Sequence, residues 1–295
     1  MKFRHAKQSD KNNVLRFCTN TFEWGDYIEQ VWDGWCADPN GYLMIAEENE
    51  VIAAVSHAYL CPNRNRVWLE GIRVNPDFRR RAIATELIKN MLEYGKEHGA
   101  QDAAGLVSVK NAASQGMMEK NGFVATSRWI YCYSSTNNIH GEPDDAGQST
   151  IATLEDKEII RSYLKQSQIF RAAGENYAHL WRWYYLNLDS DFLQNLIDSR
   201  KIIITTNHDH SIINGLMIIN KNDDNLFQIG YIDAVDVLTL KRLISFVINL
   251  AYSELREKKS ETLQMFVPLT SFLYSALTNL EINQYGHFLL YIMEF

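Results

Sequence analysis

The sequence predicts a mixed α/β (α+β) protein, a central sheet flanked by helices, with the plan duplicated along one chain. Three observations lead there. Short runs rich in β-branched and aromatic residues alternate with longer runs at helical spacing. Their order over residues 1–136 is ααβββαβαβ, and a similar order returns over 151–295. Between them, "STNNIHGEPDDAGQST" (Ser135–Thr150) is polar and rich in Gly, Asn and Asp, as a linker is. A chain of 295 residues with 46% hydrophobic content suits about two cores. The expected division is a first domain over 1–136, a linker over 137–150 and a second domain over 151–295.

In the first domain, Ser9-Asp10 can cap a helix whose apolar face is Val14, Leu15, Cys18 and Phe22. A second helix fits Ile28–Ala37, with Val31, Trp32 and Trp35 on one side, and Asp38-Pro39-Asn40-Gly41 is a turn. Three strands follow, Tyr42–Glu47, Val51–Leu60 and Val67–Val74. A helix over Arg80–His98 carries Ile83, Leu87, Met91 and Tyr94 at helical spacing and stops at Gly99. Asp102–Val109 is a strand, Asn111–Asn121 a helix ended by Gly122, and Phe123–Ser134 a long closing strand. The second domain reads as helical from Leu154 to about Arg200. Strands follow at Ile202–Thr206, Ile212–Asn220 and Leu226–Val235, then a helix from Leu240 to near Lys258. A strand at Leu263–Pro268, a helix at Ser271–Asn279 and a strand at Phe288–Phe295 close the chain. Gly71 and Gly230 fall at equivalent places in the two third strands, which supports duplication with a degenerate second copy.

Composition narrows the function. Net charge is −7, and the acidic excess is spread over both halves, so neither has the basic footprint that nucleic acid wants. Four cysteines lie far apart with no CxxC, which reads as reduced core thiols. The start, MKFRHAKQSD, has no apolar signal core. The longest apolar stretch, near Leu243–Tyr252, falls short of the roughly 18–20 residues needed to span a bilayer. The expectation is a soluble cytoplasmic protein with no membrane partner; oligomeric state is left open. His208 and His210 flank Asp209 without further ligands in the pattern, so no metal is expected.

The most informative stretch is "LEGIRVNPDFRRRAIATEL" (Leu69–Leu87). A strand-to-helix junction points free backbone N–H groups outward, and the helix dipole adds positive potential there. Such a junction binds phosphates. Ala82 and Ala84 are small enough to let a phosphate approach the backbone, and Arg79, Arg80 and Arg81 supply neutralising charge. The competing reading is an ordinary solvated basic helix start.

"V-x-P-x-x-R-x-x-A-x-A" (Val74–Ala84) resembles motif A of the GNAT acetyltransferases, usually R/Q-x-x-G-x-G/A, and "NAASQGMMEKNGF" (Asn111–Phe123) resembles the family's second signature. The resemblance implies a site for acetyl-CoA as cosubstrate. Backbone amides of Arg79, Arg80, Arg81, Ala82, Ile83, Ala84 and Thr85 would hold the pyrophosphate. Ile72-Arg73-Val74 would splay from the Asp102–Val109 strand and pair with the pantetheine amides like an added strand. An N–H near Ile72 would polarise the thioester carbonyl. Asn111 would bond the pantetheine arm, with Ser114 and Met118 on the same helix lining it. Two departures stand out. Ala82 replaces the first motif glycine, which is tolerable if its backbone is helical. Met118 stands where the family often has a tyrosine acting as general acid, and Tyr131 or Tyr133 could replace it.

Direct attack on a thioester needs a neutral amine, hence a base. Glu70, among apolar residues in "VWLEGIRV", is the candidate, as base or as a substrate-binding carboxylate, with His57 on the neighbouring strand as its rival. The segment between the first two helices, "TFEWGDYIEQVW" (Thr21–Trp32), offers Trp24, Asp26 and Tyr27 to an ammonium-bearing acceptor. "GDYIEQVWDGWCADPNGYLMIAE" followed by "VWLEGIRVNPDFRRRAIA" also looks loosely like the histidine N-acetyltransferase-like branch of the family. That suggests a small-molecule or amino-acid amine as acceptor. The second domain's equivalent of motif A, "AVDVLTLKRL" (Ala234–Leu243), lacks the pattern, so a degenerate copy without CoA is expected there. For the first domain the resemblance implies an acetyl-CoA-dependent N-acetyltransferase, with a non-catalytic CoA-binding or regulatory module as the alternative.

Overall fold

Burial along the strands follows the apolar runs closely, and the exceptions fall where turns or bulges re-aim the chain. The computed structural model describes residues 1–19, 21, 25–62, 65–135, 149–221, 227–254 and 262–295. They form two compact units, Met1–Ala125 with Tyr291–Phe295, and Thr126–Leu290.

The first unit begins with a short strand, β1 (Lys2–His5), that no apolar alternation announced. It pairs antiparallel with a later strand through Lys2↔Glu47 to His5↔Met44. A 3-10 turn at Gln8–Asp10 leads into α1 (Lys11–Cys18), followed by α2 (Ile28–Ala37). The Ser9-Asp10 pair therefore does not cap α1 through its side chains. Asp10 instead accepts from the Lys7 amide at 2.7 Å and from Arg4 at 2.7 and 3.0 Å. Next come β2 (Gly41–Glu48), β3 (Val51–Leu60), β4 (Arg66–Val74), α3 (Ile83–Glu97), β5 (Asp102–Ser108) and α4 (Ala112–Lys120). The sheet order is β1-β2-β3-β4-β5. Ile28, Trp32 and Trp35 of α2 bury against Leu43, Ile45 and Val55, removing aromatic surface from water, while Val31 of the expected face is only partly buried.

The strand β6 (Val124–Ser135) starts at the edge of the first unit and runs into the second. The second unit contains β7 (Ser149–Ile151), α5 (Lys157–Gln166), α6 (Gln168–Ala172), β8 (Asn176–His179), β9 (Arg182–Tyr185), α7 (Asp191–Asp198), β10 (Ile202–Thr206), β11 (Ile213–Lys221), β12 (Phe227–Ala234), α8 (Val237–Glu254), β13 (Thr262–Pro268), α9 (Ser271–Asn279) and β14 (Gln284–Glu294) up to Leu290. Its strands run β14-β6-β13-β12-β11-β10-β7. β6 pairs antiparallel with β13 from Ser135↔Thr262 to Trp129↔Pro268. The units thus divide inside β6 and not in the polar stretch after it. Residues 136–148 of that stretch lie outside the described residues.

One expected helix is a hairpin. The aromatic run in "ENYAHLWRWYYLNL" reads as helical by spacing, yet forms β8 and β9, paired from Asn176↔Tyr185 to His179↔Arg182. β-branched and aromatic runs are ambiguous over short lengths. Here buried polar side chains decide. Gln228 binds both the N–H and the C=O of Leu180 at the turn, at 2.7 and 3.1 Å, and Asn220 donates to the Ala178 carbonyl at 2.8 Å.

Candidate active site

The site is built on β4. Opposite β3, His57 pairs with Glu70 and Val55 with Arg73, so two steps on β3 face three on β4. The extra residue is a β-bulge at Gly71-Ile72, and Gly71 takes a left-handed φ of +68°. A bulge turns the strand's next side chain and amides away from the ladder. On its other edge, β4 pairs with β5 only through Arg66↔Asp102, Val67↔Ala103 and Trp68↔Ala104, although both strands run on. A bidentate Arg66–Asp102 bridge, at 2.6 and 2.7 Å, holds the closed end. The ladder between β4 and β5 runs to Trp68↔Ala104, short of Ile72-Arg73-Val74.

After β4, Asn75 accepts from the Asp77 amide at 3.1 Å and a 3-10 turn covers Pro76–Phe78. The helix expected from Arg80 begins at Ile83, because Arg80 and Ala82 both adopt left-handed backbone, φ +61° and +59°. The condition set for Ala82 therefore fails: its backbone is not helical, and its methyl sits in a conformation that costs an L-residue roughly 1–2 kcal/mol. The first backbone bond onto this end runs from Glu86 N to Ala82 O at 3.1 Å, so the amides of Ile83, Ala84 and Thr85 precede it. Arg79, Arg80 and Arg81 are all exposed around this end, with Arg81 bridging to Glu48 at 2.7 Å.

On the base side, His57 Nδ1 lies 2.9 Å from Glu70 Oε1. The imidazole is fully buried, while the carboxylate side chain is 15% exposed. The two rivals of the sequence reading are thus one pair. The imidazole stacks on Trp35, centroids 4.4 Å apart and planes 9° from parallel.

The acceptor segment is partly corrected. Trp24 lies outside the described residues. Asp26 does not present its carboxylate to a ligand: it takes both ends of the Arg73 guanidinium, at 2.7 and 3.1 Å, and accepts from the Ile28 amide at 3.1 Å. Its side chain is only 4% exposed. The cause is the bulge, which sends Arg73 toward the start of α2. Tyr27 lies under the Arg73 guanidinium, 5.2 Å from its ring centroid, and meets Trp35 edge-on. Burial pushes the Tyr27 phenol up, and the Glu70 charge adds to that against the pull of Arg73.

Asn111 caps α4, its side-chain oxygen accepting from the Ser114 amide at 3.1 Å. Met118 is buried, 4% exposed, and packs its methyl against Gly105 on β5. Tyr131 and Tyr133 belong to the second unit. Tyr131 packs on Trp181 and Phe266, and burial pushes its phenol up to about 12. Tyr133 meets Tyr285 edge-on.

The second unit repeats this geometry in part. β12 bulges at Gly230, between Ile218↔Tyr231 and Ile219↔Ile229, and pairs with β13 only over Phe227–Ile229. The Ala178 carbonyl of the β8–β9 hairpin is seated directly on Gly230. Only Val235 and Asp236 separate β12 from α8, where eight residues separate β4 from α3. The Asp236 carboxylate accepts from Thr239 N at 2.7 Å, so this helix start already carries its own anion. Among the described residues no group of His, Cys, Asp and Glu could hold a metal, and no helix is long and apolar enough to cross a membrane.

The Acetyltransferase (GNAT) family model matches residues 11–123. The aminoglycoside N(6')-acetyltransferase type 1 of Salmonella typhimurium is 36% identical over 81 residues, 27% of this chain and 56% of that protein. A protein of the same name from Acinetobacter genomosp. 13 is 38% identical over 64 residues, 22% of this chain and 44% of that one. The chain thus spans about half the length of the curated relatives it matches. A GCN5-related N-acetyltransferase from Sphaerobacter thermophilus superposes over 99% of this chain and 95% of its own, with a TM-score of 0.62 at 12% identity. A tandem GNAT protein from the clavulanic acid biosynthesis pathway covers 99% of this chain and 98% of its own, with a TM-score of 0.52 at 11% identity. At such identities these two establish the fold alone.

Proposed function

We propose that this chain, whose residues 11–123 match the Acetyltransferase (GNAT) family model, transfers an acetyl group from acetyl-CoA to a primary amine by direct attack in a ternary complex. The observation that carries this is the bulged, splayed β4 feeding the arginine-rich start of α3. The end of β4 past its short ladder with β5 fits an extended pantetheine arm. The amides of Ile83–Thr85 and the three exposed arginines fit a pyrophosphate. Asn111 reaches the arm through its amide nitrogen.

Glu70 takes a proton from the acceptor's ammonium group. The amine then attacks the thioester carbon, and an N–H at the bulge near Ile72 steadies the oxyanion. The C–S bond breaks and its electron pair leaves on sulfur. The CoA thiolate takes the proton that the new amide sheds. Met118 has no proton to give. A thiolate is a good enough leaving group to go without one. With Asp26 neutralised by Arg73, the acceptor is a small amine or amino acid and not a group held by that carboxylate.

The second unit binds no CoA in this reading, because Asp236 occupies the helix start and the hairpin covers the bulge. Buried Met118 favours a second reading, a CoA-binding module without catalysis. Titration calorimetry with acetyl-CoA, followed by CoA release with a panel of small amines, tests both. One site per chain with amine-dependent release is expected. One site without release selects the module. Two sites, or none, overturns the assignment.

A further inference from the structure

We infer that His57 is a positioning residue for Glu70, and that Gly41, Trp35 and His57 form a seat built to aim that carboxylate. The inference rests on Glu70 being the base. The two side chains are register partners on β3 and β4, and Nδ1 and Oε1 are 2.9 Å apart. Against an ionised carboxylate, Nδ1 carries the proton and donates.

The ring is held on three sides. Trp35 stacks on one face at 4.4 Å. On β2, Gly41 leaves room for it: a Cβ there would lie 2.6 Å from Nε2. Glu70 supplies the third contact. The same indole lies on Gly71, where a Cβ would meet it at 2.5 Å. One side chain therefore fixes the imidazole that aims Glu70 and the bulge that begins at the next residue. A buried histidine needing only a hydrogen-bond partner would not require a glycine on one strand and a parallel indole on a helix. This reverses the usual division of labour in a histidine–carboxylate pair, where the carboxylate orients the ring.

Other charged or titratable groups around the pair are Tyr27 ahead of α2, the Asp26–Arg73 ion pair beside it, and Asp38 on the turn before β2, whose Cβ lies near Gly41. None of them changes in the variants below, so a difference between variants reports the imidazole.

The test uses the full-length chain with His57→Phe, His57→Asn and His57→Gln. Phe keeps the stack and loses the donor; Asn places its amide nitrogen near Nδ1; Gln places it near Nε2. The first readout needs no activity: a pH titration of the Glu70 carboxyl by 13C NMR, with Glu70→Gln identifying the resonance. The second is kcat, KM and the pH profile of amine-dependent CoA release. In Phe and Gln the expectation is a moved Glu70 titration, a kcat lower by about tenfold or more with KM for acetyl-CoA unchanged, and a displaced acid limb. Asn should recover most of each. If Phe does not fold, Asn against Gln makes the same comparison. An unmoved Glu70 titration in Phe or in Gln overturns the inference. A moved titration alongside full activity of Glu70→Gln instead removes Glu70 as base, and the inference with it.

Discussion

Trp35 lies across Gly71: a Cβ built on that glycine would fall 2.5 Å from one ring carbon of the indole and 2.7 Å from the next. The glycine also holds a left-handed φ of +68°. The bulge in β4 and the burial of α2 therefore depend on the same missing methyl. Gly71→Ala should suffer both left-handed strain and overpacking, together about 2–4 kcal/mol. Urea unfolding measures the loss, and acetyl-CoA affinity should fall with it. A variant as stable as the parent would mean that the indole moves aside freely.

Ala82 holds a strained position at the start of α3, with φ +59° and ψ 13°. Ala82→Gly relieves that strain while making the unfolded chain more flexible, so the net gain is up to about 1 kcal/mol. Acetyl-CoA should bind the variant at least as tightly as the parent, read by calorimetry. Weaker binding would show that the methyl contributes to the cradle.

The charge of the neighbouring arginines should act mainly at low salt. Arg79→Glu with Arg81→Glu should weaken acetyl-CoA binding by about tenfold or more and flatten its dependence on salt, since exposed charges are screened over roughly 10 Å at 0.1 M. Unchanged affinity at low salt would detach the triplet from the pyrophosphate.

Asp26 and Arg73 are a buried pair, side chains 4% and 12% exposed. Asp26→Asn leaves the guanidinium without its counter-charge and should cost about 3 kcal/mol. Replacing both, Asp26→Leu with Arg73→Met, should recover much of that by the same reasoning. Thermal unfolding of the three variants decides between a stabilising pair and a burden on the fold.

The N-terminal ion pair makes stability sensitive to acid only at low pH. The Arg4 guanidinium, with help from the Lys7 amide, holds the Asp10 carboxyl below its ordinary value despite burial. Its contribution is complete above the unfolded pKa near 3.8 and is lost as pH falls through the lower folded value. Asp10→Asn should therefore lower stability at pH 7 and flatten the stability curve below about pH 4. Equal acid slopes in the two proteins would count against the pair.

The sequence by itself determined most of the strands and helices, the duplicated order, and the loop that marks the family, because each rests on local periodicity or on residues adjacent in the chain. Glu70, the three arginines and Asn111 are candidates on those grounds. Only the tertiary structure decided which groups meet. Side-chain period in a strand is two, so a one-residue bulge at Gly71 reassigns every neighbour after it, and nothing local reports on which side of Glu70 it falls. That is why Asp26 read as an open carboxylate and proved to be the partner of Arg73, 47 residues away. It is also why Glu70 and His57 read as rivals and proved to be one pair. The β8–β9 hairpin was missed for a related reason: its aromatic run fits either period, and the choice was made by Asn220 and Gln228, side chains some forty residues further along. Local spacing fixes what each segment can be, and long-range hydrogen bonds between buried polar groups select among the options.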